Sequence, residues 1–142
     1  MEKIDVEILV TDPSITVKYY STEAGGFDLH TLDDCTLLPN EPQVIKTGLS
    51  IKIPFGFTGL IKGRSSLGLM GVNIFNGVID SDFRGEIKCV LCNLTNKPIF
   101  IEASHRVAQL LLIKTYRGIF NRKNSLESCG PMRTGGFGST GI

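Results

Sequence analysis

Thr47-Gly48-Leu49-Ser50-Ile51-Lys52-Ile53-Pro54 is the stretch that decides the fold. Leu49, Ile51 and Ile53 alternate with Ser50 and Lys52, the period-two pattern of a strand with one face buried. Pro54 stops it, because proline cannot donate to a sheet ladder. The same alternation runs from Lys3 to Val10, with Ile4, Val6, Ile8 and Val10 on one side. Phe57–Lys62, Glu86–Leu94, Pro98–Glu102 and Val107–Thr115 are further strand candidates. Gly or Pro stands between most of them, at Pro39, Pro42, Pro54, Gly56, Gly71, Gly77, Gly85 and Pro98. No long stretch sustains a helical period with proper caps. Many short strands with turn signals between them predict an all-β sandwich or barrel, such as a jelly roll.

One short helix is expected. Ser65 and Ser66 serve as N-cap residues, Leu67-Gly68-Leu69-Met70 makes a single turn, and Gly71 ends it. A helix this short depends on tertiary contacts. From Gly118 the composition turns polar and then glycine-rich. The chain therefore divides into a β core over residues 1–117 and a C-terminal arm over 118–142.

With 142 residues and no composition break, one domain can bury its own core. Fifteen Lys and Arg face 14 Asp and Glu. That balance leaves no broad footprint for nucleic acid or an anionic membrane, so any polyanion bound is small and held by local cations. No apolar run is long enough to span a membrane. The N-terminus has no signal-peptide core, which gives a cytoplasmic or nuclear address by default. Cys89 and Cys92 have no second Cys pair and no His pair to complete a metal site. On a strand they point to opposite faces, so they read as buried structural thiols. Two histidines, His30 and His105, leave little for a His-based triad or metal centre.

The chemistry lies in three glycine-flanked segments. Gly77-Val-Ile-Asp80-Ser-Asp82-Phe83-Arg-Gly85 sets an acid at the end of an apolar run, where low dielectric favours general-base work. Its plain alternative is a β-turn with ordinary aspartates. Gly63-Arg64-Ser65-Ser66 combines a helix start, hydroxyls and a forked cation for an anion, or else a cap with a solvated Arg. Arg133-Thr-Gly-Gly-Phe137-Gly-Ser139-Thr140-Gly141 offers backbone donors, hydroxyls and an aromatic face for a base, or else a low-complexity tail. A stacking aromatic, anion cradles and a placed carboxylate together suit a nucleoside polyphosphate and a hydrolytic water.

Five segments in order resemble the motifs of the trimeric dUTPases, the deoxyuridine triphosphate nucleotidohydrolases. They are Ala24-Gly-Gly-Phe27-Asp28-Leu29, Gly63-Arg64-Ser65-Ser66-Leu67-Gly68, Gly77–Gly85, Arg106-Val-Ala-Gln109-Leu110 and Gly135-Gly-Phe137-Gly138-Ser139-Thr140-Gly141. The resemblance implies a jelly-roll subunit in a homotrimer with active sites shared between chains. It implies hydrolysis of dUTP to dUMP and pyrophosphate by water attack on the α-phosphorus, limiting uracil in DNA and supplying dUMP for dTMP synthesis. By the same resemblance Asp80 activates the water, and Gln109 sits beside it at the α-phosphate. Phe83 packs on the deoxyribose, and the hairpin at Phe75, Asn76 and Gly77 reads uracil. Arg64, Ser65 and Ser66 hold phosphates. Asp28 orients waters on a magnesium ion (Mg2+) carried by the triphosphate. The arm places Phe137 over the uracil and Ser139 and Thr140 near the γ-phosphate, with Gly138 among its substrate-binding residues and Arg133 able to reach the γ-phosphate.

The chain departs from the family pattern at four places. Phe83 and Phe27 stand where Tyr is usual, and Ser104-His105 where Gly and an acid are usual. Met132 occupies the place of the fifth motif's Arg, with Arg133 one position later. The related dCTP deaminases carry a catalytic Glu ten residues after the motif aspartate, where this chain has Val90. A nucleotide binder without activity has no need of a water-positioning acid, and a capsid-like jelly roll leaves the five motifs unexplained.

Overall fold

Pro42–Lys52 forms the longest strand, β4, and its odd-numbered residues Ile45, Leu49, Ile51 and, just beyond, Ile53 are buried. The computed structural model describes residues 2–75, 77–127, 130–131 and 134–136. In chain order the other elements are β1 (Glu7–Val10), β2 (Gly26–His30), β3 (Cys35–Leu37), β5 (Phe57–Gly63), α1 (Ser65–Leu69), β6 (Val72–Phe75), β7 (Gly77–Ile79), β8 (Glu86–Asn93), β9 (Ile99–Ile101) and β10 (Arg106–Lys114).

Two four-stranded sheets, ordered β1-β4-β8-β6 and β2-β10-β5-β7, supply most of the core, and β3 pairs with β9 in a small third sheet. Every ladder between these strands is antiparallel. Ile45, Leu49, Ile51, Ile87, Cys89 and Leu91 of the first sheet join Phe27, Leu29, Ile61, Ala108 and Leu110 of the second in one buried cluster. This is the double-sheet architecture that the alternation predicts.

β4 is irregular between Lys46 and Ser50. Lys46 pairs with Lys88 and Ser50 with Glu86, so three residues of β4 face Ile87 alone. Two extra residues keep the parity, which is why Ile45 and Leu49 both point inward across the irregularity. Gly48 makes the bend with φ +66°, and a Cβ there would lie 2.5 Å from Ile15 Cδ1 and 2.6 Å from Thr11 Oγ1. The buried Thr47 hydroxyl donates to Ile87 O at 2.6 Å, closing the gap in the ladder.

Several expectations need correction. The first strand begins at Glu7 rather than Lys3, and it is an edge strand. Ile8 on the supposed inner side is 50% exposed, as a residue of the sheet's edge strand. β4 starts at Pro42, five residues before the diagnostic stretch. The helix N-cap is Arg64, with no side-chain cap bond, so Ser65 and Ser66 are its first helical residues. Gly71 does end the helix, at φ +80°. β2, β3, β6 and β7 were not expected as strands, since three to five residues give too little periodicity.

Cys89 and Cys92 are buried free thiols, and burial pushes the Cys89 thiol up to about 12. After β10 the backbone is tied once more to the core, by Thr115 N donating to Gly56 O at 2.9 Å. Tyr116 to Glu127 are exposed and form no helix or strand. Among the described residues, no helix is long and apolar enough to cross a membrane.

Candidate active site

Asp28 lies between the buried Phe27 and Leu29 on β2, so the strand's alternation turns its carboxylate to the outer face of the second sheet. Gln109 of β10 is directly across from it, and Lys62 of β5 is the next residue in the row. Arg64 follows Gly63 at the end of β5 and starts α1. Sheet register and one strand-to-helix turn therefore bring Asp28, Gln109, Arg64 and Ser65 to a pocket of about 310 Å³.

The Asp28 side chain is only 13% exposed and is held by two guanidinium groups. Arg64 Nε lies 3.3 Å from Oδ1, and Arg106 Nη1 lies 3.2 Å from Oδ2. Arg64 Nη1 also donates to Arg106 O at 3.1 Å, which ties the α1 start to β10. Two cations around one acid leave the surroundings of Asp28 net positive, and of the two Arg64 lines the pocket, where its guanidinium suits an anion. Gln109 Nε2 donates to Gly63 O at 3.3 Å, a long bond that a better acceptor can replace.

Asp80 falls elsewhere. It follows β7, and Phe83 N donates to Asp80 O at 3.1 Å, closing the β-turn that the sequence offered as the plain alternative. Arg84 Nη1 donates to Ser81 O at 2.7 Å and to Phe83 O at 2.9 Å, stapling that turn. The Phe83 ring lies over Gly85, where a Cβ would meet Cζ at 2.7 Å, so the glycine makes room for the ring. Asp80 and Asp82 are exposed, and the neighbouring Val78 is 64% exposed. The apolar surroundings expected of Asp80 are therefore not supplied by its own chain.

Ile79 is level with Gly59 on β5, whereas Gln109 is level with Lys62. Two inter-strand spacings and four residues along the strand put Asp80 and Gln109 roughly 16 Å apart over the sheet surface. The expected site residues thus form two groups. Asp28, Arg64, Ser65 and Gln109 share the pocket, with Ser66 exposed on the next helical position. Phe75 ends β6, Gly77 opens β7, and Asp80 and Phe83 lie in the turn after β7. β6 pairs with β8 in the first sheet and β7 with β5 in the second, so the chain changes sheets here and the hairpin expected at Phe75 and Gly77 is not formed between these strands. Asn76, Arg133, Phe137, Gly138, Ser139 and Thr140 lie outside the described residues, as does Met132.

Sequence reasoning missed Tyr20 and Ser21, which wall the pocket, and the part played by Arg106. Nothing local marks Tyr20, which reaches the site from a loop. Arg106 sits opposite His30 in the β10–β2 ladder, two pairs from Asp28 across a bulge at Val107, a register that a lone sequence does not display.

The described residues hold no cluster of three His, Cys, Asp or Glu that could cage a metal. Each Asp28 oxygen has one guanidinium partner and can accept a further hydrogen bond. That donor set fits an ion held through water, as magnesium is when substrate phosphates carry it.

A double-sheet β domain with an arginine-clamped acid in a small polar pocket is the class of protein that fold and site define. The chain belongs to the dUTPase family, whose model matches residues 12–141. It is 34% identical over 141 residues to the deoxyuridine 5'-triphosphate nucleotidohydrolase of Helicobacter pylori strain P12, covering 96% of this chain and 97% of that one. The enzyme of the same name from Wolbachia pipientis subsp. Culex pipiens is 38% identical over 146 residues, at 98% and 95% coverage. Among solved structures, a mutant dUTPase of Staphylococcus bacteriophage 80alpha with dUpNHpp superposes with a TM-score of 0.89 at 21% identity, covering 99% of this chain and all of that one. A mutant dUTPase from phage phi11 of S. aureus, described for its coordination of a structural Mg(II) ion, gives 0.79 at 18% identity, with 88% and 100% coverage. These structures share the fold.

Proposed function

We propose that this protein is a dUTP diphosphatase, a hydrolase that splits dUTP into dUMP and pyrophosphate. The observation that carries the reading is the convergence of Asp28, Arg64, Ser65 and Gln109 on one pocket, in a chain that belongs to the dUTPase family.

Asp80 takes a proton from water, the water oxygen bonds to the α-phosphorus, and the bond to the bridging oxygen breaks to release pyrophosphate. Gln109 orients the α-phosphate and that water. Arg64, with Ser65 and Ser66, holds the phosphate chain at the start of α1. Phe83 packs on the deoxyribose, and Phe75, Asn76 and Gly77 read the base. Magnesium, when bound with the triphosphate, screens its charge and polarises the phosphoryl oxygens. Asp28, kept in place by Arg64 and Arg106, would hold the waters of that ion.

Within one chain the backbones of Asp80 and Gln109 are roughly 16 Å apart along the sheet, while a reacting group must stand within about 3–3.5 Å of its target. That separation favours their meeting one phosphorus from different subunits. The reading therefore includes a homotrimer in which the β6–β7 segment and following turn of one subunit meet the pocket of a neighbour. The arm, residues 118–142, closes the shared site with Phe137, Gly138, Ser139 and Thr140, and Arg133 reaches the γ-phosphate. Work on free nucleotides suits an address in the cytoplasm or nucleus.

Pyrophosphate release from dUTP, dCTP, dTTP and UTP with magnesium tests this. Release from dUTP alone is expected. Ammonia from dCTP, or equal use of UTP, would contradict it.

A further inference from the structure

Tyr20 and Ser21 line the pocket but enter neither the motifs nor the proposed chemistry, and Tyr20 is the one in contact with charged site residues. It precedes β2, is 48% exposed and lines the pocket beside Asp28. Arg106 Cζ lies 4.6 Å from the Tyr20 ring centroid, and Lys18 Nζ lies 4.7 Å from it. The Tyr20 hydroxyl is 3.1 Å from His30 Nε2, which anchors the ring to β2. Arg106 in turn touches Asp28 Oδ2 at 3.2 Å.

We propose that Tyr20 is a positioning residue that sets Asp28 through Arg106, and so governs how tightly the site takes a magnesium-bound nucleoside triphosphate. The inference rests on the dUTP diphosphatase reading and deepens it. The physical need is clear from the two arginines. Arg64 is fixed twice, at Asp28 and at Arg106 O, and only 20% of its side chain is exposed. The Arg106 side chain is 40% exposed, and Asp28 is its one ion-pair partner among the described residues. A long side chain so exposed loses its geometry to rotamer freedom unless something flat covers it. The Tyr20 face does this, attracting the guanidinium and leaving its edge free for the carboxylate. With Arg106 pinned, Asp28 presents its remaining lone pairs in one direction, toward the pocket.

The test is a double-mutant cycle on the full-length protein. Tyr20→Leu, Tyr20→Phe, Asp28→Asn and the Tyr20→Leu/Asp28→Asn double variant are titrated by calorimetry with the non-hydrolysable α,β-imido analogue of dUTP, at several magnesium concentrations. Steady-state KM and kcat are measured alongside. Tyr20→Leu is expected to raise the Kd of the analogue and the KM for dUTP roughly 2- to 5-fold, with kcat falling by less. Tyr20→Phe, which keeps the ring, is expected to restore most of that affinity. In the Asp28→Asn background the Tyr20→Leu loss should vanish, because the effect passes through Asp28. A Tyr20→Leu loss that persists undiminished without the Asp28 charge overturns the proposal, as does a Tyr20→Leu protein that binds like the parent. A parent that neither binds the analogue nor hydrolyses dUTP overturns the underlying reading, and this inference with it. Normal parent activity alongside a failed cycle overturns the inference alone.

Discussion

Asp80 and Gln109 stand roughly 16 Å apart over the surface of a single sheet, one beyond β7 and the other two strands away on β10. Both are proposed to act on one phosphorus atom, so their separation within the chain is the strongest structural argument for an active site shared between subunits. It also accounts for an exposed Asp80 in an otherwise ordinary turn. In the proposed trimer the aspartate would gain its apolar surroundings from a neighbouring chain and the substrate.

Replacing Asp80 by Asn keeps the turn, since the Phe83 N to Asp80 O bond uses only backbone. Turnover of dUTP is expected to fall roughly 10²–10⁴-fold, with binding of a non-hydrolysable analogue retained. Stopped-flow turnover and calorimetry check the two halves separately. Near-normal turnover would remove Asp80 from the mechanism.

Deleting residues 137–142 tests the arm. Every described residue from 116 to 127 is exposed, and the core is complete at β10. The truncated protein is expected to keep its oligomeric state in analytical ultracentrifugation while turnover drops roughly 10²-fold, as for a site left open and misaligned. Dissociation on truncation would show that the arm holds the assembly together.

Gly48 carries the bend in β4 at φ +66°, hemmed in by Ile15 and Thr11. Gly48→Ala is expected to destabilise the fold by roughly 1–3 kcal/mol, read from the urea midpoint. Gly68, where an added Cβ would meet nothing within 4 Å, is the control. Gly68→Ala should be neutral or slightly stabilising, because alanine favours the helix.

His30 gives a pH signature. Burial, partly opposed by the Asp28 carboxylate and aided by the charges of Arg106, Arg64 and Lys18, holds its imidazole below the usual 6.5. The folded state therefore binds this proton less readily than the unfolded chain. Stability from this group is complete above pH 6.5 and is lost as pH falls from there toward the depressed folded value. His30→Gln should flatten that part of the urea-midpoint profile relative to the parent, measured from pH 8 down to pH 5. An unchanged slope would mean that His30 titrates as it does in the unfolded chain.

The fold was legible where burial imposed alternation over many residues. Leu49, Ile51 and Ile53 announce β4, and Glu86–Asn93 and Arg106–Lys114 realise the expected long strands. β7 was read only as a turn segment, because Gly77-Val78-Ile79 is too short for a period to show. Of the site, Asp28, Arg64, Ser65 and Gln109 were legible because the motifs name them and the sheet register gathers them. Tyr20 and the Arg106–Asp28 contact were not, since both depend on which strands become neighbours. Periodicity does not encode that choice.

The central claim is that each active site joins Asp80 of one subunit to Gln109 of another. The direct test unfolds and refolds together equal amounts of Asp80→Asn and Gln109→Ala, each expected to be nearly inactive alone. Random trimers in which one site draws both intact residues should recover about a quarter of parental activity, given the cyclic arrangement of three subunits. Activity that stays at the level of the separate variants would place both residues in the same chain's site and contradict the account.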